Sequence, residues 1–227
     1  MIGMNLLLGN QADHDRIYGV TIGVVTNAKD PEKLGRIKVK FPWLSDGDES
    51  DWARVLTAMA GSQYGLFMLP EVGDEVLVAF EQGDPRFPYV LGALWNGKAK
   101  PPETNEDGKN NHRLIKSRSG HTILLDDTPG EEKIVIQDQT QKNEISIDSK
   151  TNLITIKSEK DLTIEAKGNI SLNSSGGDVA IKCNNFSVQA QNCEIKANTK
   201  CAIEAQAGIG IRCLAGVKIN DGALEVT

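Results

Sequence analysis

The sequence predicts an all-β protein in two parts, a small closed barrel followed by a rod of repeated short strands. Three observations carry this. No long segment has the 3.6-residue period of an amphipathic helix. The first hundred residues read as short strands divided by turn clusters. Beyond them, pairs of apolar residues recur every seven to nine positions.

The strand candidates of the first part are IYGVTIGVVT, GRIKVKF, WARVLT, EVLVAFEQ and YVLGALW, with NAKDPEKLG and SDGDES among the turns between them. Five strands in about 80 residues suit an OB-fold barrel. The barrel is expected over residues 17–97, after an N-terminal arm of residues 1–16. The stretch NGKAKPPETNEDGKNNH is rich in Pro, Gly and charge, so residues 98–120 are expected to be a linker or junction. Composition changes across it. Of eleven aromatic residues only Phe186 follows position 100, while all four cysteines follow position 180.

The needle is expected over residues 121–227. Its pairs begin at Ile145/Ile147 and Ile154/Ile156. They continue as Leu162/Ile164, Ile170/Leu172, Val179/Ile181, Phe186/Val188 and Cys193/Ile195. Cys201/Ile203, Ile209/Ile211, Val217/Ile219 and Leu224/Val226 complete the series. A small in-phase residue follows most pairs, such as Ala166, Ser174, Ala190 or Ala205, and then turn formers. Alternation of this kind puts the pair and the small residue on one face of a strand. One such face is too narrow to form a core by itself, so the units must stack. Either one chain coils into a solenoid, or three chains wind into a triangular prism. The spacing of about eight is long for a hexapeptide solenoid. The favoured architecture is therefore an intertwined triple-stranded β-helix, a homotrimeric prism in which other copies satisfy the strand edges.

Composition excludes several functions. The net charge of −6 lacks the positive field of a nucleic-acid binder, although Trp43, Trp52, Tyr64 and Phe67 could offer stacking surfaces. No apolar run is long enough to span a bilayer, and the start lacks the marks of a signal peptide. Synthesis in the cytoplasm is expected. Cys183, Cys193, Cys201 and Cys213 lack the close pairing of a structural zinc site and read as small packing residues. His121, with Ser117, Ser119, Asp126 and Asp127 nearby, has no nucleophile elbow or metal motif around it. No catalytic residue, cofactor or metal is expected.

The segments GVVTNAKDPEKLGRIKVKFPWL, PEVGDEVLVAFEQGDPRFPYVLGALWN and HRLIKSRSGHTILLDDTPGEEKIVIQD, followed by the repeat, resemble the central spikes of contractile injection machines. That family includes phage baseplate assembly protein V, the T4 spike and the C-terminal half of VgrG. The resemblance implies a homotrimer with an OB-fold collar and a β-helix needle, which helps pierce a target envelope. It implies a separate gp27-like hub protein, since only a short arm precedes the barrel. It also implies a PAAR-repeat tip protein seated near Leu224, Val226 and Thr227. Effector cargo is a further partner of such spikes. Assembly into the particle and outward delivery on firing follow from the same likeness. The arm residues Ile2, Leu6, Leu7 and Leu8 are expected to dock on the hub or a neighbouring barrel. The alternative is a trimeric fibre or adhesin that recognises a cell-surface receptor.

Overall fold

A computed structural model of the chain describes residues 16–44, 47–212 and 214–215. It falls into two compact units, residues 1–164 and 165–227. Among the described residues there is no α-helix, and no helix is long and apolar enough to cross a membrane.

The first unit begins with the barrel. Its strands are β1 (Thr21–Asn27), β2 (Lys38–Lys40), β3 (Arg54–Val55), β6 (Glu75–Phe80) and β7 (Pro88–Leu94), in the order β2-β1-β6-β7-β3. All neighbours are antiparallel except β3 and β7. The sheet closes on itself where Ile37 and Ala53 exchange backbone hydrogen bonds of 3.0 and 2.8 Å. Beside that seam, Ser50 Oγ accepts the Val39 N–H at 3.1 Å and donates to the Asp51 carbonyl at 2.7 Å. Irregular pairing at Val25/Asn27 and at Leu77/Val78 supplies bends of the kind that closure needs.

Alternation fixes the core. In β6, Val76, Val78 and Phe80 point inward between half-buried neighbours. They meet Val25, Ile37, Val39, Phe41, Ala53 and Val90. The Phe41 and Phe80 rings lie 5.5 Å apart, tilted by 60°. The strand candidates are longer than the ladders formed: GRIKVKF pairs regularly only at Lys38–Lys40 and WARVLT only at Arg54–Val55. A small hairpin, β4 (Ala60–Gly61) with β5 (Tyr64–Gly65), projects between β3 and β6.

The turn before β2 is organised by Asp30. Its carboxylate accepts the Arg36 Nε–H at 2.9 Å and Nη2–H at 2.8 Å, and the backbone N–H groups of Glu32 and Leu34. The hydrogen bonds from Arg36 lead in holding this carboxyl well below the usual carboxylate range. A depressed folded value means stability is fully present above the unfolded value and is lost as pH falls through the folded one. The barrel's midpoint in urea is therefore expected to hold down to about pH 4 and to drop below it. Asp30→Asn should lower the midpoint at pH 7 and flatten that acid limb. An unchanged acid limb in the variant would show that other carboxylates set it.

After the barrel come β8 (His112–Lys116), β9 (Thr122–Asp126), β10 (Lys133–Gln137), β11 (Glu144–Asp148) and β12 (Leu153–Lys157). They form an antiparallel meander in which each strand pairs with the next. The segment expected to be a junction thus contributes β8. The first two repeat pairs, Ile145/Ile147 and Ile154/Ile156, pair within one chain rather than between copies. Short turns allow this, such as the one where the Asp138 carboxylate accepts N–H groups from Asn143.

Candidate assembly surface

The meander register brings its apolar residues onto one face. Ile123 lies opposite Ile115 and Ile136, and Ile145 lies opposite Ile136 and Ile156. In the next row Ile134 faces Leu125 and Ile147, and Ile147 faces Ile154. Side chains alternate across a sheet, so these residues form two stripes running across the strands. Each of them is more than 40% exposed. The opposite face is mostly polar and better covered. There Asp126 is buried, accepts the Thr128 N–H at 3.0 Å, and lies 3.6 Å from both His112 Nε2 and Lys133 Nζ. Hydrogen bonding from Thr128 leads in lowering its carboxyl. The arrangement inverts that of a soluble sheet, which hides its apolar face.

One end of the apolar face opens into a trough of about 1060 Å³, whose lining includes Ile115, Ile123, Ile136, Ile145 and Ile156. Phe67 and Met68, from the chain just after the β4–β5 hairpin, lie at its rim, 77% and 57% exposed. Arg118 and Glu71 pair at 2.8 Å beside them. The predicted core residues Leu162 and Ile164 follow β12 and are likewise exposed.

In the second unit the apolar repeat persists. Ile170, Leu172, Val179, Ile181, Phe186, Val188, Ile195, Ile203, Ile209 and Ile211 are all exposed, as are Cys193 and Cys201. Among the described residues of this unit there is no strand ladder and no backbone hydrogen bond. The single chain exposes 20582 Å², whereas a globular monomer of its mass exposes roughly 10,000 Å². Val217, Ile219, Leu224, Val226 and Thr227 lie outside the described residues, as do Ile2, Leu6, Leu7 and Leu8.

Other sequence candidates fall elsewhere. His121 sits in the β8–β9 turn, where its Nδ1 accepts the Gln139 N–H at 3.2 Å. Ser117 Oγ accepts the backbone N–H of His121 and does not engage its ring. Trp43 packs beside Phe41, Trp52 lies beneath Arg36 and Lys38, and Tyr64 and Phe67 line a hollow around the hairpin. Sequence reasoning missed the role of β9 and β10 in the apolar face. Their Ile123/Leu125 and Ile134/Ile136 alternation was the available signal.

The first unit thus joins a closed five-stranded barrel to a five-stranded meander with an exposed apolar face. The barrel matches the family model described as the type VI secretion system/phage-baseplate injector OB domain, over residues 21–95. The chain is 33% identical over 142 residues to the actin cross-linking toxin VgrG1 of Vibrio cholerae, covering 59% of this chain and 13% of that protein. It is 32% identical over 166 residues to the type VI secretion system spike protein VgrG4b of Pseudomonas aeruginosa, covering 66% and 20%. With VgrG3 of Vibrio cholerae it shares 34% over 116 residues, covering 48% and 11%. The matched stretch is thus a fifth or less of each of these relatives. Residues 21–95 thus carry the injector OB domain, and the chain is similar to spike proteins of type VI secretion systems.

Proposed function

We propose that the chain is the homotrimeric central spike of a contractile injection machine, with a structural rather than an enzymatic role. One observation carries the reading. The repeat has a regular apolar face and a strand-like sequence, yet a single copy gives it neither a core nor backbone partners. Ordering a backbone costs about 1–2 kcal/mol per residue. Nothing within one chain offsets that over the second unit, whereas three copies sharing one prism would supply both burial and cross-strand bonds.

In this reading residues 17–97 are the collar, 98–120 the junction and 121–227 the needle, with the prism packed by the pairs from Leu162/Ile164 to Val217/Ile219. The sheath drives a tube, and the spike at its front concentrates force on the target envelope. The particle carries the spike outward. A hub protein behind it and a PAAR-repeat tip at Leu224, Val226 and Thr227 are the partners the family likeness supports. Light scattering on the purified chain tests the core of this. Three copies of the 24.6 kDa chain give about 74 kDa, and that mass should persist on dilution. A folded 24.6 kDa monomer would overturn the shared prism.

A further inference from the structure

The connection between barrel and meander is not the open linker that its composition predicts. Residues 103–111, just ahead of β8, fold into a compact loop that lines a hollow of about 360 Å³ with His112 and Thr128. Asn105 and Asn110 take left-handed backbone, with φ of 51° and 53°, which asparagine tolerates better than most residues. The Asn105 side-chain oxygen accepts the Asn110 N–H at 2.6 Å, and the Asn105 carbonyl accepts the Gly108 N–H at 3.0 Å. Glu103 Oε1 accepts the N–H groups of Thr104 and Asn105 at 3.0 and 3.2 Å. These bonds are internal to the loop. At its far end the Arg113 Nη1 of β8 donates to the Asn110 carbonyl at 3.1 Å. Among the described residues, the hydrogen bond that ties residues 103–109 to the meander is the one between Glu103 and His112.

His112 opens β8 and lies directly opposite Asp126 of β9. Its Nδ1 is 2.9 Å from Glu103 Oε2, and its Nε2 is 3.6 Å from Asp126 Oδ1. Each ring nitrogen therefore faces a carboxylate. An ionised carboxylate only accepts hydrogen bonds, and a neutral imidazole has one N–H and one bare lone pair. Either neutral tautomer would aim its lone pair at an anion. The imidazolium donates on both sides, so the arrangement is built for the charged ring. Other charges nearby agree. Glu106 and Asp107 of the loop line the same hollow, with Lys109 3.9 Å from Asp107. Lys133 of β10 lies 3.6 Å from the other oxygen of Asp126, and Arg113 pairs with Asp127. The Glu103 hydrogen bond leads in raising the His112 pKa, burial opposes the rise, and the charges of Asp126 and Asp107 add to it.

We infer that His112 is a protonation-controlled clasp on the connection between barrel and meander: the charged ring holds residues 103–109 to β8 and β9, and loss of its proton frees them. A histidine whose folded pKa is raised contributes stability that is fully present below its unfolded value of about 6.5 and is lost as pH rises through the folded value. The connection is therefore closed in mild acid and loosens on the alkaline side. Asp126 keeps Lys133 and the Thr128 N–H when the ring is neutral, so β9 stays in place and the loop moves. The clasp lies within one chain and does not depend on the number of copies. Hydrogen–deuterium exchange on the full chain, corrected for the intrinsic pH dependence of exchange, tests it. Amides of residues 103–109 should exchange at least about tenfold faster above the His112 titration than below it, the loss expected for a charge-assisted hydrogen bond. Proton NMR of the His112 ring supplies the midpoint, which should lie above about 6.5. H112Q should exchange at the fast rate at every pH. E103Q should lower the midpoint of the ring and abolish the pH step. Unchanged exchange in β10 and β11 shows that the sheet still forms in both variants. A flat corrected rate across the titration, or a midpoint at or below the unfolded value, would overturn the clasp. So would a pH step that survives in H112Q, which would assign it to the loop carboxylates.

Discussion

In the proposed trimer, replacing Ile145 by aspartate is expected to break the assembly, taking the mass from about 74 kDa to that of the 24.6 kDa chain. Ile145 lies on the apolar face, directly opposite Ile136 on one side and Ile156 on the other. It is 46% exposed in one copy, and it lines the trough. In a shared prism that exposure vanishes, and three carboxylates would be buried close to one axis. Each would cost several kcal/mol without a counter-charge, and their mutual repulsion would add to it. Within a single chain the same change is nearly free, since the site is wet and the strand ladder keeps its backbone bonds. Ser146→Asp, one residue on and facing the other side of the sheet, is the control and should leave the mass unchanged. Should Ile145→Asp keep the mass and melting temperature of the unaltered protein, the apolar face is not the contact between copies.

The second large effect is expected at Ile37. Its side chain is fully buried at the seam where the barrel closes on Ala53. Ile37→Ala removes three carbons and leaves a cavity that rigid strands on both sides cannot fill. Such truncations cost about 2–5 kcal/mol, against a total of roughly 4–12 kcal/mol for a domain of this size. The urea midpoint of the barrel, followed through tryptophan emission, should fall accordingly. Leu34→Ala, at a side chain 66% exposed a few residues upstream, should move it by less than about 0.5 kcal/mol. Equal shifts in the two variants would mean that the core does not centre on the seam.

Much of this fold is legible in the sequence because strands advertise themselves by alternation. Val76, Val78 and Phe80 in EVLVAF point inward as their spacing requires. The hairpin AGSQYG does not show itself, because two-residue ladders carry no period. Nor does the change of architecture after β12. Ile154/Ile156 and Leu162/Ile164 have the same pattern and similar turns, yet only the first pair sits in an intrachain ladder. Alternation reports which face a side chain takes and says nothing about whose strand lies alongside. The apolar surface is therefore visible as a repeat, while its division into a self-paired sheet and an unpaired array is not. The stacking of Arg54 on Tyr89 is invisible for another reason. The two are 35 positions apart in the sequence and meet only because β3 runs parallel to β7.

The meander also bears on how three long, repetitive chains could find a single alignment. Units of seven to nine residues with near-identical faces can slide past one another by a whole repeat, losing contacts only at the ends. The sheet β8–β12 has no such freedom, because short hairpin turns fix each of its registers within one chain. Three such pre-aligned sheets, once joined, would hold the three chains level at Leu162, so that winding starts in phase and proceeds in one direction. In the proposed spike, the self-paired strands would serve as the template that sets the pitch for the repeat that follows them.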